Sequence, residues 1–336
     1  MLRTILTLPA ATAILATVSS APAQTFESAD VIDTAYLRQV VYDLASDSMM
    51  GRDTRRPEIV KAARYIEAEF HAAGLEPPPS GRMVRWWGAY HAVADEPIHG
   101  PNVIGWIEGS DQELSKEHVL FVAHFDHMPP NSFLRGDTIL NGADDNASGT
   151  AGLLALAHAF GRLQPPTPRS LVFLAVSGEE MGMLGSEAYV ESPEFPLEQL
   201  YAVINLDMIG RHDPFYGKDV FVAFPSESKY GPLAGDISAA HPELALDVKL
   251  QSGAWYLRES SDHWSFRDHT QEILFFNDGH SADLHQPQDE PDRIDYEKME
   301  RVTRLAFLLG LEIASEGKSR QTSNYMPSNT RLELAR

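Results

Sequence analysis

HVLFVAHFDH at residues 118–127 and SLVFLAVSGEE at residues 170–180 decide the fold. Each begins as an unbroken apolar run rich in Val, Leu and Phe. Each stops at groups with metal or acid–base chemistry: His124 and Asp126 in one, Glu179 and Glu180 in the other. Such runs suit strands buried on both faces of a sheet, where neither side meets water. Tyr201–Leu206, Val220–Phe224 and Glu272–Phe276 read the same way, and Met83–Tyr90 and Asn102–Glu108 supply two earlier strands. Apolar residues at helical spacing fall around and between them, at Ala35–Ser46, Pro57–Ala73, Ala147–Leu163, Leu184–Glu191, Gly231–Ala240 and Tyr296–Ser315. Strands alternating with helices predict an α/β fold: a mixed, largely parallel central sheet with helices on both faces, a three-layer sandwich.

The chain has 336 residues, 43% of them hydrophobic and 22% charged, enough to bury a large core without cross-links. It contains no cysteine, which excludes thiolate ligands, thiol nucleophiles and iron–sulfur clusters. A formal net charge of -21 argues against nucleic acid as a partner. Residues 1–23 read as a signal peptide: Arg3 gives a positive start, Thr4–Val18 an apolar stretch, and Ala21-Pro22-Ala23 a small-residue cleavage site. Pro9 and the shortness of the run argue against a membrane anchor. The mature chain is therefore expected to be exported, periplasmic or secreted, with no membrane span. Residues 24–316 read as one domain and 317–336 as a polar, flexible tail.

Metal-seeking residues recur in order where strand-like runs end: His124, Asp144, Glu179-Glu180, Asp207 and His285. Open α/β sheets place their sites at the carboxyl ends of the strands, so loop-borne groups there can converge on one point. Singly, each has a plainer reading, since a His after a strand is usually hydrogen-bonded and an Asp before a helix usually caps it. Asp144-Asp145-Asn146 stands just before a helix, so part of that triplet is expected to cap and only one residue to bind metal. The placement of the whole set points to metal chemistry.

The segments AHFDH, GADDNASG, SGEEMGMLGS, NLDMIGR and DLHQPQDEPD resemble the successive motifs of a family of dizinc exopeptidases. This is the family of the bacterial leucyl aminopeptidases, family twenty-eight of the metallopeptidases, which also holds glutamate carboxypeptidases and glutaminyl cyclases. The likeness runs from about Gly51-Arg52 to the final helix. It implies the zinc-dependent exopeptidase, phosphorylase/hydrolase-like fold and two zinc ions per chain. On that resemblance His124 and Asp207 hold one zinc, Glu180 and His285 the other, and Asp144 bridges them. Glu179 is the general base, Asp126 orients His124, and the Asp144-Asp145 peptide bond is cis. Asp283 or Asp289 accepts the ring N–H of His285. Ser260–Phe266 resembles a segment of the specificity pocket, which places Arg258, Asp262, His263 and Phe266 on the substrate side. Tyr256 or Arg258 stabilises the oxyanion, with Tyr256 the first choice, although the spacing departs from the family pattern. His127, His212 and His269 are not expected to be ligands, and Gly51-Arg52 is read as a surface turn.

Charge counting agrees with these roles: Asp144, Glu180 and Asp207 with one hydroxide would balance two zinc ions. Zinc lowers the pKa of its water to about 7, so a hydroxide is available at neutral pH and Glu179 is left free to carry its proton. The expected function is an exported dizinc aminopeptidase acting on peptides with a free N-terminal amine. A glutaminyl-cyclase-like acyl transferase would work with one zinc, and a carboxypeptidase would want a basic cluster, for which only Arg211 and Arg258 offer themselves. A non-catalytic binding ectodomain should have lost ligands. The short distance from Gly74 to His118 leaves no room for an inserted protease-associated domain.

Overall fold

The computed structural model describes residues 29–317 except 92, 94, 214, 216, 254–259 and 280. The signal segment, the tail beyond Gly317, Tyr256 and Arg258 lie outside the described residues. Its strands are β1 Val84–His91, β2 Glu96–Ile107, β3 His118–His124, β4 Ser170–Val176, β5 Leu200–Leu206, β6 Val220–Phe224, β7 Val248–Ser252 and β8 Ile273–Asn277. They form one eight-stranded sheet in the order β1-β2-β4-β3-β5-β8-β6-β7. The centre is parallel, with β3 between β4 and β5, and β8 beside β5. Antiparallel pairings at β1/β2, β2/β4 and β6/β8 make the sheet mixed, while β6 and β7 run parallel to each other. Strand β7 adds to those expected: its Val-Lys-Leu-Gln-Ser lies at the sheet edge, partly exposed, and needs no apolar run.

Every residue of β3, β4 and β5 is buried, which their unbroken apolar sequences required. The two-residue period of a strand sends neighbours to opposite faces. Val119, Phe121 and Ala123 of β3 join the larger core with Leu171, Phe173 and Ala175 of β4, whereas Leu120, Val122, Val172 and Leu174 join the smaller one. Helices α1 (Thr34–Leu44), α2 (Glu58–Ala72), α3 (Gly149–Gly161), α5 (Gly231–Ala240) and α6 (Tyr296–Ser315) put buried residues into the larger core. The other face is covered more thinly, by α4 (Leu184–Glu191) through Tyr189, by Phe195, and by the single turn Asp262–Phe266 through Phe266.

Helix α6 shows how pattern becomes position. Met299, Val302, Leu305, Ala306, Leu309 and Ile313 recur every three or four residues and are all fully buried. Asp295 caps its start by accepting from Lys298 N at 2.9 Å. Because β3, β4, β5 and β8 are parallel, their carboxyl ends share one edge. The loops that follow them carry His124–His127, Glu179-Glu180, Asp207 and His285 to that edge. The start of α3 is pressed against it too: a Cβ on Gly149 would stand 2.3 Å from Leu206 O, so no larger residue fits. Among the described residues, no helix is long and apolar enough to cross a membrane.

Candidate metal centre and active site

Two groups of donors meet at this edge. His124, Glu179 and Asp207 form one, His127, Asp145, Glu180 and His285 the other, and within each group the donor atoms lie within 4.8 Å of one another. Asp145 joins them, with Oδ1 3.4 Å from His124 Nε2 and Oδ2 3.0 Å from His285 Nε2. His124 Nε2 is also 3.3 Å from Asp207 Oδ1 and 4.0 Å from Glu179 Oε2. In the second group, Glu180 Oε2 is 3.2 Å from His285 Nε2, and Glu180 Oε1 is 2.8 Å from His127 Nδ1.

The carboxylate between the groups thus belongs to Asp145, not to Asp144, the residue expected to bridge. Asp144 turns the other way: its Oδ1 accepts from Gly210 N at 2.8 Å and from Ser148 Oγ at 3.3 Å. The cis peptide bond falls at Asp145-Asn146 rather than Asp144-Asp145. Asn146 is the capping member of the triplet, its Oδ1 accepting from Gly149 N at 2.8 Å and from Met208 N at 3.1 Å. Its Nδ2 donates to Leu206 O at 3.0 Å, so one amide ties the start of α3 to the end of β5. Asp289 grips the same segment, accepting from the backbone N–H of Asp144 at 2.8 Å and of Asp145 at 3.1 Å. His127 is the second departure, since the fold brings a histidine not expected to ligate into the donor group.

Asp126 does contact His124, but through its backbone carbonyl, 3.2 Å from Nδ1; its carboxylate oxygen is 3.8 Å away. That carboxylate instead accepts from Thr54 Oγ at 3.0 Å and from Glu179 N at 3.3 Å, linking the His124 loop to the Glu179 loop. Arg52 is not on a surface turn. It is fully buried and donates to Phe125 O at 2.7 Å, Leu44 O at 2.8 Å, Asn141 O at 2.7 Å and Gly142 O at 2.9 Å. It therefore pins the backbone on both sides of the site. Burial lowers its pKa to about 10, which still leaves it charged at neutral pH. Lys298, also fully buried, donates to Ile209 O at 3.0 Å and Arg211 O at 2.6 Å and steadies the loop after Asp207. An Arg or Lys inside an otherwise ordinary polar stretch carried no signal of this; only burial reveals it.

On the substrate side the expectations fare less well. Asp283 Oδ2 is held by Arg211 Nη2 at 2.7 Å and Arg293 Nη1 at 3.3 Å, so that oxygen is engaged by two guanidinium groups. Asp289 is committed to backbone amides, as above. Asp262, His263 and Phe266 are 0% exposed and so do not line an open pocket. Asp262 accepts from Ser186 Oγ at 2.6 Å, His263 stacks on Phe275 with ring centroids 4.3 Å apart, and Phe266 packs on Tyr189 in the smaller core. His212 lies away from the donor groups, paired with Asp219 and Asp295. His269 is in neither donor group.

The adjacent glutamates sit in different fields. Burial raises the Glu179 carboxyl well above the usual range, and Asp262, Asp207 and Glu180 add to this against the pull of His124. Burial acts on Glu180 too, yet its contacts with His127 and His285 hold it well below that range. A pair whose environments push them apart suits one carboxylate to hold charge and the other to exchange a proton. Burial raises Asp126 to about 6. Asp145 and Glu180 raise His285 to about 10. The donor set fits a divalent ion of borderline softness, which imidazole and carboxylate bind well. Among the described residues, His127 Nδ1 and Nε2 and Glu180 Oε1 are buried without an aligned hydrogen-bond partner, although Nδ1 and Oε1 are in contact. Unpaired polar atoms converging in the interior are what such an ion would satisfy.

Sheet and donors together define a class: an α/β protein with metal-capable side chains gathered where its parallel strands end. The sequence pattern of peptidase family M28 matches residues 102–309, more than half of the chain, and the chain belongs to that family. It is 31% identical over 159 residues to a probable zinc metalloprotease of Pyrenophora teres f. teres (strain 0-1), covering 45% of this chain and 32% of that protein. The chain spans about a third of the length of this and a second fungal relative. It is 27% identical over 297 residues to the uncharacterized protein YfbL of Escherichia coli (strain K12), covering 80% of this chain and 82% of that one. The fold is shared with BSAP, a zinc aminopeptidase from Bacillus subtilis, at a TM-score of 0.66 and 16% identity, over 86% of this chain and 97% of that one.

Proposed function

We propose that this chain is a dizinc aminopeptidase that removes N-terminal residues from peptides with a free amine. The observation that carries this is Asp145, whose two oxygens face different donor groups, 3.4 Å from His124 Nε2 and 3.0 Å from His285 Nε2. His124, Asp207 and Asp145 would hold one zinc, and Asp145, Glu180 and His285 the other. Bound there, zinc supplies Lewis acidity toward a carbonyl and lowers the pKa of water toward neutrality. Glu179 supplies the base. Its Oε2 lies 4.0 Å from His124 Nε2, and its raised affinity for a proton suits it to take one at that oxygen and return it to the leaving amine. Asp126 fixes where the base starts from by holding Glu179 N.

Donors gather in two groups joined by Asp145, which supports a dizinc peptidase over a one-zinc cyclase. The segment between Gly74 and β3 is taken up by β1, β2 and short turns, which supports a cleft uncovered by an inserted domain. Export rests on the composition of residues 1–23. The deciding experiment compares a free-amine peptide with its N-acetylated form alongside zinc analysis of the purified protein. Cleavage of the free-amine form alone, with close to two zinc ions per chain, is expected; equal cleavage of both would refute aminopeptidase action. Glu179→Gln should keep the zinc and lose turnover by a factor on the order of a thousand, a typical weight for a proton-transfer group.

A further inference from the structure

The Glu180 group holds more side chains than a bridged dizinc site requires of it, and the surplus is His127. This residue lies within the loop after β3, one position past Asp126, and is 1% exposed. Its Nδ1 is 2.8 Å from Glu180 Oε1 and 3.6 Å from Asp145 Oδ2. His285 Nε2 lies 3.0 Å from Asp145 Oδ2 and 3.2 Å from Glu180 Oε2. Four donors at the corners of a tetrahedron with zinc bonds of about 2.0–2.1 Å sit ~3.3 Å from one another. The separations from Asp145 Oδ2 to His127 Nδ1 and His285 Nε2, 3.6 Å and 3.0 Å, bracket that value, while Glu180 approaches the two imidazoles through different oxygens.

A hydrogen bond between His127 and Glu180 is the competing account, and distance alone would allow it, since the contact is 2.8 Å and helps to hold the Glu180 carboxyl low. The two atoms touch, yet neither is aligned for a hydrogen bond, and both ring nitrogens of this buried imidazole lack an aligned partner among the described residues. A buried imidazole and carboxylate oxygen left without aligned partners are what a cation between them would satisfy. The ring packs closely over Gly142, where an added Cβ would stand 2.5 Å from His127 Cγ. His285 closes the other side with ring centroids 5.5 Å apart.

We infer that His127 is a metal-binding side chain of the Glu180–His285 group, giving it four protein donors. The two poles are then unequal. Four protein ligands close a zinc shell, as in structural sites, whereas an open position is what a reacting site keeps. The His127 pole is the retentive one, and the His124–Asp207 pole, beside Glu179, keeps the vacancy that substrate needs. This rests on the dizinc reading proposed above, and the test separates the two.

Zinc affinity is measured by chelator competition on the purified full chain, the His127→Ala variant and the bulk-preserving His127→Gln variant. Cobalt is substituted in parallel and its visible spectrum recorded. The native chain should bind two ions, one markedly tighter. Both variants should weaken one ion by a hundredfold or more, since even residues that only support a ligand are worth about 10–100-fold. The cobalt band of the tight ion should lose intensity as its shell opens. Adding His124→Ala to His127→Gln should remove the remaining ion. Two ions held by both variants with native affinity and an unchanged cobalt spectrum would overturn this inference alone. A native chain that binds no second ion would overturn the dizinc reading with it. Melting temperatures of the metal-free proteins control for a purely structural effect: a loss of zinc affinity matched by a collapse of metal-free stability in both variants would count against ligation.

Discussion

Asp145→Asn and Asp144→Asn change neighbouring residues identically and should have different consequences. At position 145 the change removes a charge facing both donor groups, so bound zinc should fall to one ion or fewer and activity by about a hundredfold or more. At position 144, burial and the nearby Asp278 and Asp289 already raise the carboxyl well above its usual range, so a neutral amide is a mild replacement. Its remaining oxygen can still accept from Gly210 N, and zinc content should stay native at a stability cost of about 1 kcal/mol. Zinc analysis and a urea midpoint on the two variants settle this; equal zinc loss in both would show that Asp145 is not the bridge. Spacing could not separate the two, because side chains one residue apart are aimed by backbone torsions that sequence does not display. His127 was hidden for a related reason: a histidine after a strand is common, and only its lack of aligned partners marks it out.

The elements were largely legible. Strands β4 and β6 and helices α4, α5 and α6 fall where apolar runs and helical spacing put them, because burial on both strand faces or on one helix stripe writes itself into the sequence. Edge strand β7 did not, being half exposed, and no periodicity shows that Arg52 leaves a turn for the interior. Arg52 joins elements rather than building one, donating to carbonyls at the end of α1, after β3 and before α3. Arg52→Met would keep the volume and strand those buried carbonyls. The expected loss of stability is on the order of 4 kcal/mol, with zinc affinity reduced as the loops slacken. Urea denaturation of metal-free protein reads the first effect and chelator competition the second; a loss under about 1 kcal/mol would mean that water replaces the guanidinium.

At the scale of the molecule, carboxyl groups gather at one edge of a chain whose formal charge is -21. Asp145, Glu179, Glu180 and Asp207 share that edge, so cations should stabilise the fold as well as the chemistry. Chelation should lower the melting temperature by several degrees, since each site held at a hundred times its Kd contributes about 2.7 kcal/mol. An unchanged melting temperature after verified zinc removal would contradict this. Acid should act elsewhere too. His118, at the start of β3, is buried with Nε2 unpartnered among the described residues, and burial lowers its pKa from 6.5 to about 4. Below pH 6.5 the unfolded chain takes up a proton that the folded chain refuses, so stability falls down to about pH 4, by up to about 3 kcal/mol. His118→Phe should flatten that part of the pH–stability curve, measured by urea midpoints at pH 7 and pH 4.5; parallel curves would refute it. The sequence by itself determined the sheet-and-helix order and the chemical kinds of group at the strand ends, because both follow from local periodicity and residue type. Only the tertiary structure decided that Asp145 stands between the donor groups, that His127 joins them and that Arg52 clamps their loops, because convergence depends on torsions and long-range packing that no short stretch contains.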